Sequence, residues 1–300
     1  MDEKQKPTPN ELIGILQRLG RSGVRAEQIS PFLCDEDGSE YAVWLVNTGK
    51  TKCVLKRAKG NEIEIYRSFF PGKKPYVPAF LGACEYHGDT YFLTEYCPGE
   101  GLCRCDRERL KKALDAIILM QDEFWEREGL YDAANAYQMA LKNVEHRGKY
   151  LGSALLDAAY ATFKEQYANT PRTLCHDDLL PFNLLVGERA VLIDWEYGGM
   201  LPYPTSLARL LAHGQEKDGA FFYLKNEDRS FAIDYYYDNL IKKHGVSYAD
   251  YRRTLELFFF FEYCEWVMLG NEYDSRDDER YADSLKLAEE TAAAISGSKK

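Results

Sequence analysis

The chain has 300 residues, of which 45% are hydrophobic and 14% aromatic, so it can bury a substantial core and is expected to form two lobes. Its formal net charge is −10, and acidic and basic residues are interspersed along the chain. A nucleic acid or an anionic membrane would therefore be repelled, and a cationic or neutral partner is favoured.

The N-terminal ten residues are polar and charged, without the apolar stretch and small-residue cleavage site of a secretory signal. The longest apolar runs, at 116–120 and 257–261, are far shorter than the ~20 residues that span a bilayer. The eight cysteines lie at irregular spacings, and no zinc-like second pair follows Cys103 and Cys105. We therefore expect a cytoplasmic protein with reduced cysteines and no transmembrane segment.

The first part of the chain has the pattern of a sheet with few helices. A helical pattern opens at Pro9, and strand-length runs rich in β-branched and aromatic residues follow at 41–46, 52–56 and 90–95. One further helix is predicted near Asn61, between the second and third of these runs. We assign residues 1–97 to an N-terminal lobe dominated by β-sheet.

The character of the sequence changes after Pro98 and Gly99. Apolar residues recur at helical spacing in the segments 106–128, 131–169, 205–215, 229–244 and 248–270. A short hairpin at 184–193, turning at Gly187 and Glu188, interrupts them. The predicted fold class is α+β, with a small antiparallel sheet lobe and a larger, mainly helical lobe at 98–300.

The most specific motif flanks this hairpin. His176, Asp178 and Asn183 follow the spacing H-x-D-x-x-x-x-N, and Asp194 comes eleven residues after Asn183 at the end of the hairpin. Transfer of a phosphoryl group from ATP requires one carboxylate to orient the acceptor hydroxyl, and oxygen ligands to hold Mg²⁺ against the phosphates. The loop and the hairpin would deliver these groups to one place.

Each residue of the motif is predicted to have a separate role. Asp178 aligns the acceptor hydroxyl and receives its proton late in transfer, because a carboxylate with an ordinary pKa of about 3.9 cannot deprotonate a free alcohol. Asn183 and Asp194 supply hard oxygen ligands for Mg²⁺. His176 is expected to hold the loop in place by hydrogen bonds.

The motif resembles the catalytic loop of the aminoglycoside phosphotransferase and choline kinase superfamily, which has a bilobal fold like that of protein kinases. The segment Leu192–Tyr197 is similar to the metal-binding segment of this superfamily, and its sequence looks most like that of choline, ethanolamine and thiamine kinases. The resemblance spans most of the chain and implies an ATP- and Mg²⁺-dependent kinase of small molecules. It also implies a phosphate-binding lysine on the third strand, where Lys56 lies, and a glutamate partner on the next helix, Glu62 or else Glu64.

The resemblance further places adenine against the linker between the lobes, on the backbones of Glu95 and Cys97. The phosphates would lie under the turn that contains Gly38 and Ser39, although this turn lacks the glycine-rich pattern and carries acids at 35–37. Two other positions depart from the family pattern. Asp177 replaces a common Gly or Asn and is expected to face away from the substrate, and Ser206 replaces a common Asp.

The acceptor site is expected on the helices after Tyr203. Glu262, Glu265 and Trp266 have spacings that place them on one helix face, and an acidic and aromatic face suits an ammonium group. Cationic acceptors such as choline, ethanolamine, thiamine, amino sugars or aminoglycosides would fit. The alternative is that the apolar residues of this helix are core and its acids are a solvated face.

Two other functions remain to be weighed against the small-molecule kinase. A protein kinase is disfavoured, because only about ten residues separate Asp194 from the next helical segment and no A-P-E motif follows. A kinase-like protein that binds without catalysis is disfavoured because Lys56, Asp178, Asn183 and Asp194 are all present. The sequence leaves open the acceptor, the choice between ATP and GTP, and the oligomeric state.

Overall fold

A computed structural model of the chain describes residues 6–33 and 38–297, and it confirms the predicted α+β fold. A five-stranded antiparallel sheet forms the N-terminal part, and helices dominate the remainder. The strands are β1 (Ile29–Leu33), β2 (Glu40–Asn47), β3 (Lys52–Arg57), β4 (Phe80–Tyr86), β5 (Asp89–Glu95), β6 (Glu100–Gly101), β7 (Arg172–His176), β8 (Leu184–Val186), β9 (Ala190–Leu192), β10 (Gly198–Pro202), β11 (Gly214–Gln215) and β12 (Phe222–Tyr223). The helices are α1 (Pro9–Arg18), α2 (Glu62–Phe69), α3 (Arg107–Glu123), α4 (Ala136–Arg147), α5 (Ala154–Asn169), α6 (Pro204–Ala212), α7 (Asn226–Tyr236), α8 (Tyr248–Glu272) and α9 (Glu279–Gly297).

The N-terminal sheet has the strand order β1-β2-β3-β5-β4, and it contains the three predicted strands at its centre. The two outer strands were not among those three. β1 contains Pro31 and is largely exposed, and the register of β4 shifts between Phe80 and Gly82. Proline and bulged strands are found at sheet edges, where the alternation of apolar residues is weak. Sequence periodicity therefore detects the centre of this sheet better than its edges.

Helix α1 covers one face of the sheet. Its first turn is closed by a capping box in which Thr8 and Glu11 bond each other's backbone N–H groups. Leu12, Ile15 and Leu16 are buried in a small core with apolar side chains of β2, β3 and β5. The predicted helix opening at Pro9 is thus confirmed.

The other face of the sheet belongs to a larger core. Ile65 and Phe69 of α2 and Phe92 of β5 are in one continuous apolar cluster with the helices of the C-terminal part. Because this core crosses from one part to the other, the sheet and the helices support each other. The division at residues 97 and 98 stays a prediction.

Two features of the helical part differ from the sequence prediction. The predicted stretch 131–169 is divided into α4 and α5 by a turn in which Gly152 has a φ of +71°, a conformation that favours glycine. Helix α9 was not predicted, because only Ala288 and Ala292 of this alanine-rich segment are buried. It packs on α8, where the ring of Tyr281 fills the space beside Gly270 that a side chain would need.

Short strands hold the motif at 176–194 between the N-terminal sheet and the helices. The predicted hairpin is present as β8 and β9, and β6 joins it as a third antiparallel strand. β7 pairs with β10, with His176 opposite Gly198. Within the described ranges, no helix is both long and apolar enough to cross a bilayer.

Candidate active site

His176, at the start of the loop after β7, is held by hydrogen bonds to two other segments. The buried His176 ring donates from Nε2 to the backbone oxygen of Ile193 at 2.8 Å. Its backbone N–H donates to the hydroxyl of Ser206 at 2.8 Å, so a serine anchors this loop where relatives often have aspartate. Burial lowers the pKa of His176, which favours a neutral ring with its proton on Nε2. The geometry agrees with the predicted scaffold role.

Asn183 joins the loop to the hairpin. Its side-chain Nδ2 donates to the backbone oxygen of Asp178 at 2.8 Å, and its backbone oxygen accepts from the N–H of Ile193 at 3.0 Å. The amide nitrogen is thus engaged, which leaves the amide oxygen as the group that can bind a cation. Asp194 follows with a φ of +63°, an uncommon conformation for a residue with a side chain and one that is concentrated at functional sites.

Lys56 bridges the two parts of the protein. Its ammonium group lies 2.7 Å from Oε1 of the buried Glu62 and also contacts the carboxylate of Asp194. Burial alone would lower the pKa of Lys56, but the two carboxylates outweigh it and raise that pKa. For Asp194, Lys56 outweighs the effect of burial and lowers the pKa, so both groups stay ionised.

The choice between the two glutamates of α2 is decided by the helix face. Glu64 is exposed, and its Oε1 accepts a hydrogen bond from the backbone N–H of Ala134 at 2.9 Å. Glu62 faces inward, and its second carboxylate oxygen has no hydrogen-bond partner in the described part of the chain. Glu62 therefore contacts Lys56, whereas Glu64 tethers the turn before α4.

The linker presents one free backbone unit. The N–H of Glu95 donates to the backbone oxygen of Ala79 at 2.9 Å, and its carboxylate is bound by Arg189 at 3.1 Å. The N–H and C=O groups of Cys97, in contrast, have no hydrogen-bond partner among the described residues. The Cys97 backbone is therefore a candidate for contact with a flat base, and the predicted contact of the Glu95 backbone is limited to its carbonyl.

Gly38 and Ser39 lead directly into β2, and Gly38 has a φ of +71°. The acidic residues at 35–37 lie outside the described residues. The role of Gly38 and Ser39 as a cover for phosphates stays a prediction.

A cavity of about 410 Å³ opens beside the loop that carries Asp177 and Asp178. Its walls come from α4, α5, α6, α8 and the loop, and they include the rings of Tyr167, Tyr197, Phe258 and Phe261. Four carboxylates line it, those of Asp177, Asp178, Glu262 and Glu265, with the guanidinium groups of Arg147 and Arg209. When all six groups are ionised, the cavity carries two surplus negative charges.

Arg209 connects the cavity to the loop after β7, and its role was not predicted from the sequence. Its guanidinium donates to Oδ1 of Asp178 at 2.9 and 3.2 Å, to Glu262 at 2.9 Å, and to Glu265. Both contacts to Asp178 use Oδ1, so Oδ2 of that carboxylate is left without a hydrogen bond from a described residue. The available signal was a single arginine in an otherwise apolar helix, Leu207–Ala212.

The acids of α8 are components of the site. Glu262 is 3% exposed, and although burial would raise its pKa, Arg209, His213 and Arg147 lower it to about 2. Glu265 is held by Arg209 and, at 3.5 Å, by Arg147. Glu262 and Glu265 therefore line the cavity and do not form a solvated face, whereas their role in binding an acceptor stays a prediction.

Two sequence predictions about this cavity were wrong. Asp177 does not face away from it: the carboxylate lines the cavity beside Asp178. The prediction came from the family pattern, which has Gly or Asn here, and the backbone turns at Asp177 because β7 ends at His176. Trp266 does not join Glu262 and Glu265, since its ring lies under the guanidinium of Arg280, with 3.9 Å between the guanidinium carbon and the ring centroid.

Comparison with known proteins places this site in a family. A sequence model of the phosphotransferase enzyme family, APH, matches residues 35–238. No curated protein matches significantly. A thermostable mutant of aminoglycoside phosphotransferase APH(4)-Ia, solved with ADP and hygromycin B, is 13% identical with a TM-score of 0.57, covering 95% of this chain and 98% of its own.

Two other aminoglycoside phosphotransferases are similar in structure. The enzyme from Alicyclobacillus acidocaldarius is 12% identical with a TM-score of 0.57, covering 99% of this chain and 97% of its own. The 3′-phosphotransferase of type VIII is 20% identical with a TM-score of 0.52, covering 83% and 99%. At these identities the solved structures establish a shared fold, and the family match extends over more than half of the chain. The chain therefore belongs to the phosphotransferase enzyme family and is a small-molecule kinase.

Proposed function

We propose that this kinase transfers the γ-phosphoryl group of ATP to a hydroxyl group of a small cationic molecule, with Mg²⁺ as the metal. The observation that carries the proposal is the convergence of Asp178, Asn183 and Asp194 with Lys56, which comes from the other side of the cleft. The structure of a relative with bound ADP supports a nucleotide in the same fold.

The acceptor hydroxyl would bind at Oδ2 of Asp178, the carboxylate oxygen that Arg209 leaves unbonded. The hydroxyl oxygen attacks the γ-phosphorus, a new P–O bond forms, and the bond to the β-phosphate oxygen breaks with release of ADP. The proton of the hydroxyl passes late in this step to Asp178. Orientation contributes most, because Arg209 holds the carboxylate in one position before the acceptor arrives.

The metal site fits hard oxygen ligands. Asn183 and Asp194 would hold Mg²⁺, since the amide nitrogen of Asn183 is already engaged and Asp194 stays ionised. When bound, the metal neutralises charge on the phosphate oxygens. Lys56 would turn from Asp194 toward the α- and β-phosphates while Glu62 keeps it in the cleft.

The remaining parts of the proposal are the adenine contacts, the charge of the acceptor, the cellular location and the boundaries of the lobes. Adenine would bond the backbone of Cys97 and the carbonyl of Glu95, below a turn at Gly38 and Ser39. A cationic acceptor is favoured because the acceptor cavity carries surplus negative charge and aromatic rings. A cytoplasmic location and an N-terminal lobe at 1–97 with a C-terminal lobe at 98–300 belong to the same proposal.

The test is ADP release from Mg²⁺–ATP, with GTP in parallel, over choline, ethanolamine, thiamine, amino sugars and aminoglycosides. We expect Asp178→Asn to lower turnover by about 10²- to 10⁴-fold while nucleotide affinity is nearly unchanged. Asp194→Ala is expected to weaken the binding of Mg²⁺–ATP as well. Near-normal turnover of Asp178→Asn would contradict the mechanism.

The same assay tests the competing function. A wild-type protein that binds Mg²⁺–ATP in a thermal-shift titration but releases no ADP with any acceptor would be a non-catalytic binding protein. A wild-type protein that shows neither response would not be an ATP-dependent kinase at all.

A further inference from the structure

Asp177 differs from the other carboxylates of the acceptor cavity in having no cationic partner. Asp178, Glu262 and Glu265 are each bound by Arg209, and Glu265 is also bound by Arg147. Asp177 makes no hydrogen bond or ion pair with any described residue, although it lines the same cavity. A partly buried carboxylate without a partner is costly unless a ligand supplies the missing charge.

A second polar group in this cavity also lacks a partner. The hydroxyl of Tyr167 is buried and has no hydrogen-bond partner in the described structure, and the residue is 3% exposed. Burial, with the nearby charge of Asp177, raises the pKa of Tyr167 well above its usual range, so the hydroxyl keeps its proton. Tyr167 and Asp177 thus line the same cavity, and neither the hydroxyl nor the carboxyl group has a partner among the described residues.

We propose that Asp177 is the specificity residue that binds the cationic nitrogen of the acceptor, with the Tyr167 hydroxyl beside it as a further hydrogen-bonding group. This inference rests on the proposed kinase function for the identity of the ligand as an acceptor. Asp177 and Asp178 are adjacent, with Cα atoms about 3.8 Å apart. Because both residues line one cavity, the nitrogen and the hydroxyl that Asp178 aligns are expected on the same small molecule, as in an amino alcohol.

The charges around Asp177 favour the binding of a cation there. The groups that face it are Arg147 on α4, Tyr167 on α5, Arg209 on α6, Glu262 and Glu265 on α8, and Asp178 next in sequence. Burial and the charge of Glu262 raise the pKa of Asp177 to about 7, against the lowering effect of the two arginines. A bound cation would favour the carboxylate, lower this pKa and release a proton.

The experiment measures binding, which does not depend on turnover. Calorimetric titration of the full chain uses choline and its neutral carbon isostere dimethylbutanol, and glucosamine with glucose. We expect the wild-type protein to prefer at least one cationic probe to its neutral counterpart. Asp177→Asn should weaken the binding of that cationic probe by roughly 10- to 100-fold and leave the affinity for the neutral probe unchanged.

A proton count separates direct contact from a structural effect. In buffers of different ionisation enthalpy near pH 7, binding of the cation should release roughly half a proton from the wild-type protein and none from Asp177→Asn. Asp157→Asn is the matched control, because this exposed carboxylate of α5 lies away from the cavity. It should bind every probe like the wild type.

Three outcomes would overturn the assignment of Asp177: equal weakening of cationic and neutral probes in Asp177→Asn, a cation preference that persists in this variant, or no binding of any cationic probe to the wild type. Failure of the kinase function gives a different result. In that case the cation binds through Asp177, but no ADP is released when Mg²⁺–ATP is added.

Discussion

The proposed nucleotide side of the site, around Lys56 and Asp194, and the proposed acceptor side, around Arg209, arrange their charges differently. On the nucleotide side, a single lysine lies between two carboxylates, and each charge has an opposite charge as its neighbour. On the acceptor side, four carboxylates share two guanidinium groups, and one carboxylate has no partner. In the proposed function, the first set exchanges partners when phosphates and a metal enter, and the second set is completed by a cation. The comparison indicates that an unpaired charge, more than a pocket's size, shows which ligand a site awaits.

The largest expected effect tests the centre of the acceptor side. Arg209→Met would leave Asp178, Glu262 and Glu265 close together without their shared cation, and removal of one partner from a buried ion pair costs about 3–5 kcal/mol. We expect a loss of this size in the free energy of unfolding, measured by urea denaturation. Arg209→Lys should recover part of it, since the charge is kept and the planar fork is lost.

Lys164→Met is the control for this prediction. Lys164 pairs with Glu145 on the surface at 3.0 Å, and such exposed pairs contribute about 0–1 kcal/mol. If Arg209→Met cost no more than Lys164→Met, the network would not hold the cavity together, and the contrast between the two sides of the cleft would fail.

The second prediction concerns the nucleotide side and uses two neighbouring glutamates. Glu62→Gln removes the buried carboxylate 2.7 Å from Lys56, so Lys56 would be drawn toward Asp194 and held less well for the phosphates. We expect kcat/KM for ATP to fall by about 10- to 100-fold, as for the loss of a hydrogen bond between charged groups. Steady-state rates at varied Mg²⁺–ATP concentration measure this change.

Glu64→Gln provides the matched control on the same helix. Its side-chain oxygen accepts from the Ala134 backbone, and glutamine keeps an oxygen there. The rate should change by less than about 3-fold. An equal loss in both variants would mean that α2 as a whole, and not the Lys56 pair, determines the rate.

The two sides also differ in how well the sequence predicted them. The nucleotide side could be predicted because His176, Asp178, Asn183 and Asp194 lie in one short stretch whose spacing fixes a loop and a hairpin. The pairing of Lys56 with Glu62 required the family resemblance in addition. The contact of Lys56 with Asp194, 138 residues away, was not predicted. The central strands of the sheet and most helices were predicted for a related reason, since their periodicity is local.

The acceptor side depends on tertiary packing that no local pattern encodes. Arg209 meets Glu262 across 53 residues, and nothing in either segment specifies the other as a partner. The orientation of Asp177 was mispredicted because the family pattern has Gly or Asn at this position, which does not indicate where a carboxylate in the turn after β7 would point. Helix α9 was missed because its contact with α8 uses alanines and the space beside Gly270, which leave little apolar periodicity.

The smallest expected effect sharpens the comparison through pH. Because burial and Glu262 raise the pKa of Asp177 to about 7 in the folded protein, against about 3.9 when unfolded, the folded state holds this proton more tightly. Ionisation of Asp177 therefore costs no stability below about pH 4, and the cost grows as the pH rises through both values and levels off above about pH 7. Asp177→Asn removes this cost. The two pKa values would correspond to about 4 kcal/mol above pH 7, and because the partly exposed carboxylate is screened by solvent, we expect the variant to exceed the wild type by about 1–2 kcal/mol near pH 8, with a smaller gap near pH 5. Thermal unfolding of both proteins across this range measures the gap, and the exposed Asp157→Asn should show none. A stability difference between variant and wild type that is constant with pH would mean that Asp177 is not the unpaired charge of the cavity. If the difference widens with pH and the variant has also lost cation binding, the carboxylate is kept for its ligand at the expense of stability.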